Sequence, residues 1–205
     1  MVKLILDESK AHDFVEFLQD GKYYCIIEAR KKYGATKDTR IADFFVDKKY
    51  LVKEIQKRQM NESFLTVPQE SIVVFVSVNP VCPEVAFRNL HREMADLACK
   101  GDFKDPTNLA RKHLVNSGGN GDYIDFDFDN GHFDPQLIYE KAGSQGVDVV
   151  KTRGGYHVVV ENKLAAKEEP MFYKNLESLG TDSISKKRLI PMVGCRQGDF
   201  MPIFL

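Results

Sequence analysis

The stretch Tyr123-Ile124-Asp125-Phe126-Asp127-Phe128-Asp129 alternates apolar and acidic residues with period two. In a β-strand, successive side chains point to opposite faces. Ile124, Phe126 and Phe128 then share one face, and Asp125, Asp127 and Asp129 line up on the other. Three neighbouring carboxylates repel one another unless a cation joins them. A hard divalent ion held by carboxylate oxygens, such as Mg²⁺, is the first candidate. The plain alternative is an acidic sheet face in solvent. An EF-hand loop is excluded, because Asn130 stands where that loop needs Gly and Gln136 where it needs a bidentate Glu.

A second cluster is Lys151-Thr152-Arg153-Gly154-Gly155-Tyr156-His157. Gly154 and Gly155 permit a tight hairpin and close approach of backbone N–H groups to an anion. Lys151 and Arg153 flank that turn with positive charge. His157 enters the next strand and must face away from Tyr156. Alone, a His among valines reads as a hydrogen-bonded core residue; beside an acidic strand and a basic turn it reads as a ligand group. Downstream, Asp182 either completes the carboxylate set or caps a turn after Gly180. Arg188 leads into a strand and could grip a triphosphate through two parallel hydrogen bonds. Gly194-Cys195-Arg196-Gln197-Gly198 is a second glycine-bracketed turn carrying a cation, either a plain hairpin or a phosphate contact.

Hydrophobic periodicity supplies the elements that must hold these groups. Helices are expected over 12–19 and 46–59, the second from Val46, Tyr50, Leu51 and Ile55. Strands are expected over 23–28 and 72–78, stopped by Asn79-Pro80. An amphipathic helix over 83–99 has Phe87, Leu90, Met94, Leu97 and Ala98 on its apolar face. Residues 100–121 read as polar and irregular, ending in the loop tip 116–121. After the acidic strand, Asp134-Pro135 opens a helix that Gly143 closes. Strands follow at 147–151 and 156–160, then a helix over 166–179 with Phe172, Leu176 and Leu179 on one face, then short strands at 188–194 and 200–204. The order from 122 onward is β, α, β, β, α, β, β. That predicts an α+β fold in which one mixed sheet has its helices packed on one side.

The 205 residues suit a single domain, and a chain of this length buries a core without disulfides. No apolar run is long enough to span a membrane, and the N-terminus meets Asp7 too soon for a signal peptide. The expected location is cytoplasmic, with no membrane partner. Cys25, Cys82, Cys99 and Cys195 form no Cys-x-x-Cys pair, which argues against a zinc ribbon or redox motif. Net charge is −1, so composition announces no nucleic-acid partner. Basic residues do cluster between Lys22 and Arg58, among them Arg30, Lys31 and Lys32. They form either a solvated helix face or a surface for phosphates.

In order and content, these motifs resemble the archaeo-eukaryotic primase superfamily, which includes the primase-polymerases. Ile124-Asp125-Phe126-Asp127 resembles its apolar strand with D-x-D. Thr152-Arg153-Gly154-Gly155-Tyr156-His157 is similar to the T-x-x-G-G-x-H form of its second motif. Asp182 followed by Arg188-Leu189-Ile190 and a Gly-rich turn resembles its third. The resemblance covers 122–198. It departs in the extra Asp129, in Gln197 where the archaeal form has His, and in lacking a zinc-binding cysteine cluster.

The resemblance implies a single primase-like domain over 1–205, with an N-terminal α/β unit (1–120) and a C-terminal RNA-recognition-motif-like sheet (121–205). The active site would lie in the cleft between them. Asp125, Asp127 and Asp182 would hold two Mg²⁺ or Mn²⁺ ions, with Asp129 a bystander at the strand end. Lys151, Arg153, Gly154, Gly155, His157 and Arg188 would bind the triphosphate of an NTP or dNTP. The implied activity is nucleotidyl transfer on a single-stranded DNA template, by a primase or primase-polymerase working with a helicase or other replication protein supplied in trans. The same residues also fit a metal-dependent nuclease or phosphohydrolase, or a non-catalytic nucleotide- or nucleic-acid-binding module on a degenerate primase fold.

Overall fold

A computed structural model describes residues 6–58, 66–102, 104–118, 122–129, 134–142, 146–163, 171–185 and 189–205. The chain begins with helix α1 (Glu8–Phe17), whose first turn is capped by Asp7 accepting from the Lys10 N–H at 3.2 Å. Strands β1 (Lys22–Ala29) and β2 (Thr39–Asp47) follow, then α2 (Leu51–Arg58), β3 (Ile72–Ser77), α3 (Pro83–Cys99) and α4 (Pro106–Val115). The second half runs β4 (Tyr123–Asp129), α5 (Gln136–Ala142), β5 (Val147–Lys151), β6 (Gly155–Glu161), α6 (Met171–Glu177), β7 (Ser183–Ser185), β8 (Leu189–Pro191) and β9 (Ile203–Phe204).

These strands make two sheets, ordered β2-β1-β3-β8 and β7-β4-β6-β5-β9. The fold is α+β, as the element order predicts. The expectation of a mixed sheet is corrected, since every pairing in both sheets is antiparallel. In the second sheet β4 and β5 point the same way but are not neighbours. The hairpin through Thr152–Gly155 inserts β6 between them, antiparallel to each. The two closing strands also part company: β8 pairs with β3 in the first sheet, and β9 with β5 in the second. The division at residue 120 is therefore crossed by the chain, and β8 helps complete the N-terminal sheet.

Alternation along β4 works as expected on its apolar side. Ile124, Phe126 and Phe128 are buried with Val147, Val149, Val158 and Val160 beneath Ile138 of α5 and Leu176 of α6. Each fully buried Phe contributes about 1.5–3 kcal/mol relative to exposure. The opposite face is divided. Val150 and Val159 join Tyr23, Cys25, Ile27, Val74 and Val76 of the first sheet in a shared core, sealed by Phe14, Leu51 and Ile55. The remainder of that face carries the acidic residues.

Several boundaries shift. Val46 lies in β2, and the helix expected over 46–59 starts at Leu51, because β2 pairs with β1 as far as Asp47. Residues 106–115, read as irregular, form α4, with Asp105 as N-cap and Pro106 in the first turn. α3 forms over the expected span, yet Phe87 is 73% exposed and only Ala86 is buried. Residues 166–170 of the helix expected over 166–179, and Gly143, lie outside the described residues. No helix among the described residues is long and apolar enough to cross a membrane.

Candidate active site

Register on the second sheet decides which side chains meet. Asp127 pairs with His157, Asp125 with Val159, and Ser183 and Ser185 lie opposite Asp127 and Asp125 on the other side. Directly paired residues share a face, so Asp125, Asp127 and His157 form one group. Nδ1 of His157 lies 3.1 Å from each oxygen of Asp125. Its Nε2 lies 3.6 Å from Oδ1 of Asp127. Asp125 is fully buried and Asp127 nearly so. The imidazole is thus clamped from behind by one carboxylate and turned toward another, the arrangement that fixes a His tautomer and orientation.

A cleft of about 210 Å³ opens in front of this pair. From the second sheet and its turns come Asp127, Asp129, Thr152, Gly154, His157 and Gln197. From the first sheet and its margins come Arg30, Lys32, Tyr33, Phe75, Leu189 and Pro191. Arg30 extends over the Phe75 ring at 6.0 Å and pairs with Glu28 at 3.3 Å. Acid and base therefore face each other across the junction of the sheets. An anion bound there meets cations on one wall, and a divalent cation meets carboxylates on the other.

An adjoining cavity of about 280 Å³ continues past Lys32 and Tyr33 to Arg153, Arg196 and Asp199. Arg153 stacks on Tyr33 at 5.1 Å, donates to the Lys32 carbonyl at 3.4 Å and pairs with Asp199 at 2.9 Å. Gly198 makes this possible. It is held at φ +61°, and a Cβ there would stand 3.0 Å from Nη1 of Arg153. Thr152 closes the basic hairpin, its Oγ1 donating to the Gly155 carbonyl and accepting from the Gly155 N–H, both at 3.2 Å.

The structure thus gathers Asp127, Asp129, His157, Gly154 and, next door, Arg153. Gly155 opens β6 opposite Asp129. Asp182 reaches the same strand end, where its Oδ2 accepts from the Asp129 N–H at 2.6 Å and its own N–H donates to the Asp127 carbonyl at 2.8 Å. Two expected members stand elsewhere. Asp125 is locked on His157 behind the cleft rather than lining it, and Asp129, set aside in the sequence, lines it. Lys151 pairs with Tyr156 and so belongs to the opposite, helix-covered face. Arg188 lies outside the described residues. Sequence reasoning did not single out Arg30, Lys32 and Tyr33 as site residues. Their signal was the basic cluster in the N-terminal half, which showed no pairing partner.

Among the described residues, no three His, Cys, Asp or Glu side chains are gathered as a ready-made metal cage. Magnesium seldom needs one, being held by one or two carboxylates with substrate phosphates completing the octahedron. The oxygen donors Asp127 and Asp129, with Asp182 beside them, suit that mode. Compared with family models, curated proteins and solved structures, the chain finds no match.

Proposed function

We propose that this chain is a divalent-metal-dependent nucleotidyltransferase of primase or primase-polymerase type, making or extending primers on single-stranded nucleic acid. The observation that carries this reading is the cleft between the sheets, where Asp127, Asp129 and His157 face Arg30 and Lys32. The order of motifs that resembles the primases supports it as well.

Asp127 and Asp129, with Asp182 at the same strand end, would hold Mg²⁺ or Mn²⁺. The bound metal would supply Lewis-acid stabilisation of the phosphoryl oxygens and a lowered pKa for the attacking hydroxyl. Asp125 accepts from Nδ1–H of His157, so that Nε2 faces the cleft, where a doubly protonated ring would donate to a phosphate oxygen. Arg30 and Lys32 draw the triphosphate to the opposite wall. Arg153, stacked on Tyr33, extends the cationic track toward the leaving pyrophosphate. A primer 3′-hydroxyl would lose its proton to solvent as its oxygen bonds to the α-phosphorus and the bond from that phosphorus to the α–β bridging oxygen breaks, releasing pyrophosphate.

The test is pyrophosphate release by the purified chain with Mn²⁺, nucleoside triphosphates and single-stranded DNA. Release that needs template, lengthens the nucleic acid and falls about a hundredfold or more in Asp127→Ala is the expected result. Shortened nucleic acid without pyrophosphate would instead identify a nuclease. Nucleotide binding without turnover would identify a non-catalytic module.

A further inference from the structure

The outward side of α3 stands open to solvent, with Phe87 at 73% exposure. Arg88, His91 and Arg92 follow that ring at i+1, i+4 and i+5 and are all exposed, so the four share one side of the helix. Arg88 and Arg92 are one turn apart, about 5–6 Å between their β-carbons. The acids of the helix do not neutralise them. Glu93 is engaged by Lys112 at 2.8 Å and by His113 at 2.6 Å, both on α4. Glu84 accepts from the Cys82 thiol at 3.3 Å. Asp96, one turn beyond Arg92, makes no ion pair with it, and among the described residues neither arginine is in a salt bridge.

An exposed ring beside two unpaired guanidiniums marks a contact surface. Its ligand must be anionic and able to lie flat on an aromatic face. A helix surface is convex and offers the ring no pocket, whereas the apolar anchor of a protein partner needs one to bury itself in. A nucleobase needs none: it stacks on one open face while its flanking phosphates meet the arginines. The position agrees. Glu93 ties α3 to α4, whose Leu114 and Val115 share an apolar cluster with Phe75 and Leu189, and Phe75 and Leu189 line the cleft. Resting on the template-directed reading above, we infer that Phe87, Arg88 and Arg92 of α3 form a second contact for the single-stranded template, outside the cleft, with a base stacked on Phe87 and its flanking phosphates paired with the two arginines. The contact tolerates any sequence, since every base has an aromatic face and stacking does not read its edge.

The experiment is fluorescence anisotropy of a labelled oligothymidylate, without Mn²⁺ or nucleotide, over a series of salt concentrations. It compares the wild type with Phe87→Leu, Phe87→Tyr and the double variant Arg88→Gln, Arg92→Gln, all at exposed positions. Phe87→Leu keeps apolar bulk but not the ring and should weaken binding about tenfold, whereas Phe87→Tyr should stay within about twofold of the wild type. The double variant should lower the slope of log affinity against log salt by about 1.4, two phosphate contacts on a single strand. Wild-type affinity in Phe87→Leu, or an unchanged slope in the double variant, would overturn the contact. So would a wild type that self-associates through Phe87 and binds the strand equally well without it. Pyrophosphate release by the same proteins separates the two claims. Phe87→Leu that binds the strand like the wild type, with template-dependent release intact, overturns the contact and leaves the nucleotidyltransferase standing. Strand binding that depends on Phe87, with no release by the wild type, supports the contact and overturns the transfer. A wild type that neither binds the strand nor releases pyrophosphate overturns both.

Discussion

At the scale of single residues, the three acids of β4 hold three different positions. Asp125 faces His157 and is sealed from solvent, Asp127 shares His157 with the cleft, and Asp129 is exposed at its mouth. If Asp125 acts through His157, its loss is felt only while His157 is present. Asp125→Asn should lower the proposed nucleotidyl transfer by about 10- to 100-fold, and adding it to His157→Ala should lower that activity no further. A double-mutant cycle measures this, and additive losses would make Asp125 an independent ligand. The alternation showed which residues share a face, but not how far along the strand the first sheet covers them, so the roles within the trio were not legible. Another acid on that face gives a pH test. Burial, and then the nearby Glu161 charge, raise the pKa of Asp148. A carboxyl whose native pKa is raised favours the folded state most when protonated, and that stability is lost as pH rises through the raised value. Asp148→Asn should therefore have a higher Tm than wild type at pH 7, the gap closing below the ordinary value of 3.8. A gap that persists there would rule out ionisation as its cause.

At the scale of elements, the strands that carry the acidic wall were readable because their period is strong. β4, β5 and β6 fall where alternation puts them, and α3, away from the site, falls where helical spacing does. α4 escaped because its polar composition hides the period, although Asp105-Pro106 is a helix-opening pair. Asp105 accepts from the Thr107 N–H at 2.9 Å, and Asp105→Ala should cost about 1 kcal/mol in urea unfolding. Short β8 and β9 carry no sequence signal for their partners. Their placement is fixed by the turn between them, where Gly194 sits at φ +81° against α1. A Cβ there would lie 2.6 Å from the Ala11 nitrogen and 2.9 Å from the Asp7 carbonyl oxygen, and the Asp7 N–H donates to the Gly194 carbonyl at 2.8 Å. Gly194→Ala should destabilise by about 2 kcal/mol or more. A loss below about 0.5 kcal/mol would show that α1 is free to move aside.

At the scale of the molecule, the site exists only where the two sheets meet. Val150 and Val159 of the second sheet share a core with Cys25, Ile27, Val74 and Val76 of the first, and β8 completes the first sheet from the far end of the chain. Residues 121–205 made alone should therefore show no cooperative thermal transition, whereas a sharp one would mean that the second sheet does not need the first. Arg30 and Lys32 are far in sequence from Asp127, and only this packing sets them across one cleft. That is why the sequence pointed to the acidic wall by residue and to the basic wall only as a diffuse cluster. The central claim is that acid and base walls together hold a metal–nucleotide complex. Its most direct test is a crystal structure with Mn²⁺ and a non-hydrolysable nucleoside triphosphate. The account predicts an anomalous Mn²⁺ peak at the Asp127 and Asp129 carboxylates, with phosphates reaching His157 Nε2 and Arg30. A cleft empty of metal at saturating Mn²⁺, or a triphosphate bound away from His157, would contradict it.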